Sequence, residues 1–265
     1  REKVLEERQA LLSSAMNLSF EALEVSSGKL SATVTVESKL EGHNLPTGFA
    51  FARQMWLEVF ATTSSGKQVC LADAVVKGNI IEANCTSGQL DSPQAELLTC
   101  DPLELADLGL KASKNDELVL LNPLAIAPLS NCDPYLTNFQ KILSDGDIDG
   151  DGIFEEVAYQ SLLPDIVKTR VRVSDQQNMD ALNNTILGKD GEANDSASYV
   201  YEFDLTGFEG EEVTVTAIMH FRHLPPYFIK ALDGGYPDGL TASDLLNNMV
   251  VTNIVTVTSD SVSVP

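Results

Sequence analysis

The sequence is poor in histidine and lacks the short signatures of the common enzyme classes. Its 265 residues include three histidines, His43, His220 and His223. There is no Gly-x-Ser-x-Gly nucleophile turn, no phosphate-binding Gly-rich loop ending in Gly-Lys-Ser/Thr, no His-Glu-x-x-His and no Gly-x-Gly-x-x-Gly. Nothing marks a carboxylate pair of the glycosidase kind. The expectation is a chain that catalyses nothing. Positive charge is the second shortage. Seventeen Lys and Arg stand against thirty-nine Asp and Glu, a net charge of -22. That sign argues against nucleic acid, whose phosphates must be met by cations, and against anionic membrane surfaces. It suits divalent cations or a plain acidic surface. No apolar run is long enough for a membrane span, and no leader peptide is visible. The first residue is Arg1 rather than Met, which reads as a mature, processed or partly covered chain.

Apolar residues make up 43%, enough for a sizeable core. The four cysteines, Cys70, Cys85, Cys100 and Cys132, show neither Cys-x-x-Cys nor zinc-finger spacing. An even count without a metal pattern suggests two disulfides formed in an oxidising compartment. Three pairings exist, of which Cys70–Cys85 with Cys100–Cys132 is the most economical. The location expected from this is extracellular or cell-surface, with the periplasm as the alternative.

Residues 1–16 read as a helix, with Leu5, Leu12 and Met16 at helical spacing and Glu2, Glu6, Glu7 and Arg8 toward water. From there to residue 265 the pattern is one of alternation. Leu30, Ala32, Val34 and Val36 alternate with Ser31, Thr33 and Thr35, and a Ser26-Ser27-Gly28 turn precedes them. Met55, Leu57 and Val59 share one face of a strand, with Trp56 and Glu58 on the other. Tyr199, Tyr201, Phe203 and Leu205 repeat the pattern. So do Val213, Val215, Ala217, Met219 and Phe221, opposite Thr214, Thr216, His220 and Arg222. Thr241 or Ser243 can cap a short helix over 244–248, and Val250–Thr258 is a β-forming tail. The fold expected is all-β: an antiparallel, Greek-key-like β-sandwich over 17–265, behind a helix or linker over 1–16. Irregular insertions are expected at 80–135, pinned by disulfide, and at 175–197. Asp190, Glu192 and Asp195 in the second insertion read as plain surface, with a second, weak cation site as the alternative.

The densest chemistry is Asp145-Gly-Asp147-Ile-Asp149-Gly-Asp151-Gly-Ile153-Phe-Glu155-Glu156. Calcium takes six to eight oxygens, and a curled Asp-x-Asp-x-Asp-Gly loop supplies them. In one frame Asp147, Asp149 and Asp151 take the first, third and fifth places. Ile153 then offers its carbonyl and Glu155 the ninth place. In the other frame the loop runs from Asp145 to Glu156. Bare carboxylates at this density repel one another, so calcium is the cofactor expected.

Three further stretches carry a resemblance: Gly42-His43-Asn44-Leu45-Pro46-Thr47-Gly48 running on to Arg53, Trp56 and Val59; Met219-His220-Phe221-Arg222-His223-Leu224-Pro225-Pro226-Tyr227-Phe228; and Glu156–Pro164. Together they resemble the β-rich domain that follows the haem-bearing part of multihaem c-type cytochromes. The departure is that a covalent haem needs Cys-x-x-Cys-His, which does not occur here. The resemblance therefore implies the haem-free β domain. Its role would be structural or interactive. The β-forming tail after Val250, free of Lys and Arg, would either pair with an open sheet edge of another copy, assembling a fibre, or close its own sheet. The alternative is an accessory of electron transfer whose partner is a multihaem cytochrome. It also makes His43 and His223 the two positions that would face a haem carried elsewhere, against a plain structural role for both.

Overall fold

The computed structural model describes residues 2–39, 53–72, 85–90, 92–95, 97, 110–112, 118–120, 133, 135–139, 141–146, 155–156, 170–173, 196–226, 229 and 239–265. The first element is α1 (Glu2–Ser14). Its Leu, Ala, Glu, Gln and Arg residues are good helix formers. The helix stops before the expected boundary, because Met16 already opens a strand. Strands follow at β1 (Met16–Ser26), β2 (Lys29–Ser38), β3 (Gln54–Thr63) and β4 (Gln68–Val69). Shorter ones are β5 (Leu110–Ala112), β6 (Leu118–Leu120), β7 (Asn138–Phe139), β8 (Lys141–Gly146), β9 (Glu155–Glu156) and β10 (Arg170–Val173). The long pair β11 (Ser196–Asp204) and β12 (Glu212–Arg222) comes next. Helix α2 (Ala242–Asn247), β13 (Thr252–Thr258) and β14 (Val262–Ser263) complete the order.

Two antiparallel sheets share one core, which meets the expected all-β class. The first sheet has the order β1-β2-β11, and the second runs β13-β12-β3-β4, with β14 also on β12 and β7 also on β3. Neighbours such as β2 and β11 are far apart in sequence. The β1–β2 turn is set by Ser27 and Gly28, both at positive φ (53° and 75°), the two-residue geometry that matches strand twist. Between the sheets lie Leu30, Ala32, Val34 and Val36, with Tyr199, Tyr201 and Phe203, against Met55, Leu57, Val59, Val215, Ala217 and Met219. Every second residue thus points inward, as the alternation predicted. The tail folds onto its own chain: β13 and β14 both pair with β12, and Val264 is buried. Helix α2 is capped by Thr241, one of the two caps expected, and so starts two residues before 244; Thr241 and Asp244 form a capping box.

β8 was not foreseen. It is the middle strand of a separate β10-β8-β9 sheet, and β5 and β6 form a two-stranded ladder.

Candidate functional site

The Asp-rich stretch is a hairpin at its two ends. Ser144 lies opposite Glu156 and Gly146 opposite Glu155, and the register slips between Ser144 and Gly146. Asp145 is therefore the extra residue of a β-bulge, a feature that re-aims the chain locally. β8 ends at Gly146, with Glu155 opposite it, so Asp145 and Glu156, the first and last acidic residues of the stretch, lie on neighbouring strands. Asp147, Asp149, Asp151 and Ile153 lie outside the described residues. Among the described residues no three His, Cys, Asp or Glu side chains gather into a metal cluster.

Cys70 and Cys85 form a disulfide, the pairing expected for the first two cysteines. Cys100, Cys132 and His43 lie outside the described residues. His223 is exposed and stands edge-on to Phe221, with ring centroids 4.9 Å apart. Its pKa is held below the usual imidazole value by partial shielding, then by the charges of Arg8 and Arg53.

A polar cluster that sequence reasoning missed sits on the outer face of the second sheet. β3 and β12 pair Gln54 with Arg222, Trp56 with His220 and Glu58 with Ile218. Alternation assigns this face to solvent, yet Trp56 is 1% exposed and Arg222 0%. The cover comes from residues 85–97. Trp56 Nε1 donates to Gly88 O at 2.9 Å. Arg222 donates from Nη1 to Ala95 O at 2.7 Å and Pro93 O at 3.1 Å, and from Nε to Gln54 Oε1 at 2.5 Å. Its guanidinium carbon lies 5.4 Å from the Trp56 ring centre, within cation–π range. His220 stacks on the other part of this surface, its ring 5.1 Å from that of Trp56, with Nε2 2.6 Å from Glu58 Oε2.

Gly88 fixes how closely the cover approaches. Its φ is +72°, and a Cβ there would meet Leu57 O at 1.9 Å. Beside it Ser87 exchanges backbone hydrogen bonds with Val59, at 2.9 and 3.0 Å. β7, Ser87 and β4 thus line one edge of β3 in succession. The cover is held from below by Asp133. Its Oδ2 accepts from Gly88 N at 2.7 Å and Ser87 Oγ at 3.0 Å, and its Oδ1 accepts from Tyr135 N at 2.8 Å. Burial raises its pKa to about 6 in spite of these donors. Asn138, across the ladder from Trp56, is buried with neither amide atom hydrogen-bonded among the described residues, which costs stability. Chemically this arrangement is a latch: donors and acceptors close on each other, and the disulfide ties Cys85 at the start of the cover to Cys70.

The chain matches no protein-family model and no curated protein. Among solved structures it is similar to a penta-heme cytochrome c552 from Thermochromatium tepidum, at 14% identity and a TM-score of 0.37. The likeness covers 95% of this chain and 40% of that one, so the chain spans less than half of that cytochrome's length. A likeness this distant decides neither fold nor role. No helix among the described residues is long and apolar enough to cross a membrane.

Proposed function

We propose that the chain is a non-catalytic structural or interaction module, a calcium-stabilised β-sandwich that works outside the cytosol and associates with further copies of itself. The observation that carries this reading is the β8–β9 ladder, which brings the two ends of an Asp-rich loop onto adjacent strands. A divalent ion bound by the carboxylates of such a loop would relieve their repulsion. The Cys70–Cys85 disulfide supports an oxidising compartment. The outer-face cluster supports a scaffold role, since Arg222, Gln54, Glu58 and His220 bond to one another or to the cover. Excess chelator is expected to lower the Tm and to open residues 145–156 to protease. An unchanged Tm would remove calcium from the account.

A second reading keeps the scaffold but makes it an accessory domain of an electron-transfer multihaem cytochrome, docked on haems carried by another segment or chain. It is favoured by the sequence likeness of the stretch from Gly42 to Val59 and of Met219–Phe228 to that family. A Soret band that travels with the polypeptide through purification from its natural source would favour this reading. A featureless spectrum would leave the first ahead.

A further inference from the structure

Uncharged edge strands pair with one another unless something blocks them. β13 is such an edge. Its residues, Thr-Asn-Ile-Val-Thr-Val-Thr, include no charge, proline or glycine, in a chain of net charge -22. It pairs on one side with β12, and among the described residues no strand pairs with its other side. Ser259 donates its N–H to Val215 O at 2.8 Å. By strand alternation Val257 and Val255 also face β12, so Thr256 and Thr258 turn their N–H and C=O groups outward.

Helix α1 lies against the first part of this edge. Ser13 Oγ donates to Ile254 O at 2.7 Å, and Gln9 Nε2 donates to Ile254 O at 3.2 Å and also to Asn253 O. Arg8 Nη2 donates to Thr252 Oγ1 at 2.7 Å. The register slip between Met219 and His220 makes Ile254 an extra residue, which brings two successive carbonyls to the helix. Among the helix residues whose side chains are described, Val4 and Leu11 are 65% and 71% exposed, and Leu12 packs on the core. A helix of 13 residues is marginal by itself.

We propose that α1 guards β13, and that when it lifts, this edge pairs antiparallel with β13 of a second copy, joining two sheets across a twofold axis. The proposal rests on the self-associating module reading above. A second copy fits because the strand is its own complement: two uncharged Thr/Val edges meet without opposing like charges, although each molecule is strongly acidic.

Sedimentation velocity of the full chain across a concentration series tests it. Gln9→Ala/Ser13→Ala removes the helix's grip on the carbonyls and keeps Leu12 in place. Dimerisation is expected to tighten about tenfold, the worth of two or three modest hydrogen bonds. Adding Thr256→Pro removes an outward donor, leaves the β12 ladder intact, and should return the monomer. Should the double variant not fold, Gln9→Ala alone asks the same question with a smaller shift. Unchanged sedimentation of a folded variant overturns the proposal, and so does association that survives Thr256→Pro. A chelator-dependent Tm alongside unchanged sedimentation would sink the guard and leave calcium stabilisation standing.

Discussion

The first half of strand β3 is buried on both faces, and the two faces are held by different physics. The inner face, Met55, Leu57, Val59 and Ala61, packs against the first sheet through apolar contact alone. The outer face, Gln54, Trp56 and Glu58, is closed by hydrogen bonds, an arginine over an indole, and a cover brought in from residues 85–97. Apolar packing is non-directional and tolerates swaps that conserve volume. Directional polar contact does not, because each buried group left behind carries its full desolvation cost. The two sides of one strand should therefore answer differently to mutation.

The largest difference is expected at Arg222. Replacing it with Met strips donors from Gln54 Oε1, Pro93 O and Ala95 O. The cost should be about 4 kcal/mol in urea unfolding followed by circular dichroism. A loss under about 1 kcal/mol would mean that the cover contributes little. Opening the disulfide with Cys70→Ala/Cys85→Ala should cost about 3 kcal/mol, since the bond closes a separation of 15 residues. The same double change should make residues 85–97 the first segment to exchange amide hydrogens.

Asp133 sharpens the comparison through pH. Its folded pKa, about 6, lies above its ordinary value of 3.8, so the folded state binds the proton more tightly. The contribution to stability is complete below about pH 4 and is lost as pH rises through about 6. It amounts to about 3 kcal/mol across that window. In Asp133→Asn this part of the pH slope should vanish; an identical slope in both proteins would dismiss the assignment. Glu211 works in the opposite sense. Hydrogen bonds from Ser65 and Lys67 lower its pKa to about 2, so its contribution is present above pH 4.5 and fades below it. The two windows barely overlap. The smallest effect is expected on the inner face, where Met219→Leu should change stability by less than about 1.5 kcal/mol. A loss as large as that of Arg222→Met would erase the distinction between the faces.

The alternation of Leu30–Val36, Met55–Val59, Tyr199–Leu205 and Val213–Phe221 made the core legible, because period-two burial is local information. The Ser27-Gly28 turn, the Thr241 cap and the Cys70–Cys85 pair were legible for the same reason. The outer-face cluster was not. His220 and Arg222 alternate with core residues and so read as solvent-facing; the cover over Arg222 is contributed by Pro93 and Ala95, about 130 residues away in the chain. Only the pairing of Gln54-x-Trp56-x-Glu58 with His220-x-Arg222, an unusually rich polar set for a free face, could have signalled it. β7 has two residues and no period to detect. β8 ends in Ser-Asp-Gly, which reads as loop. The Asp-rich loop was visible as chemistry, whereas the ladder that closes it depends on Ser144 and Glu156 meeting across the turn.

The chain contains one tryptophan, and it lies beneath the cover. Six tyrosines occur elsewhere in the sequence, but phenol absorbs at shorter wavelength than indole, so light at the red edge of the band would excite the indole almost alone. Its emission would act as a gauge built into the molecule. A red shift that precedes the loss of β-sheet signal would time the lifting of residues 85–97, whereas a shift coincident with it would mean that cover and sandwich come apart as one unit.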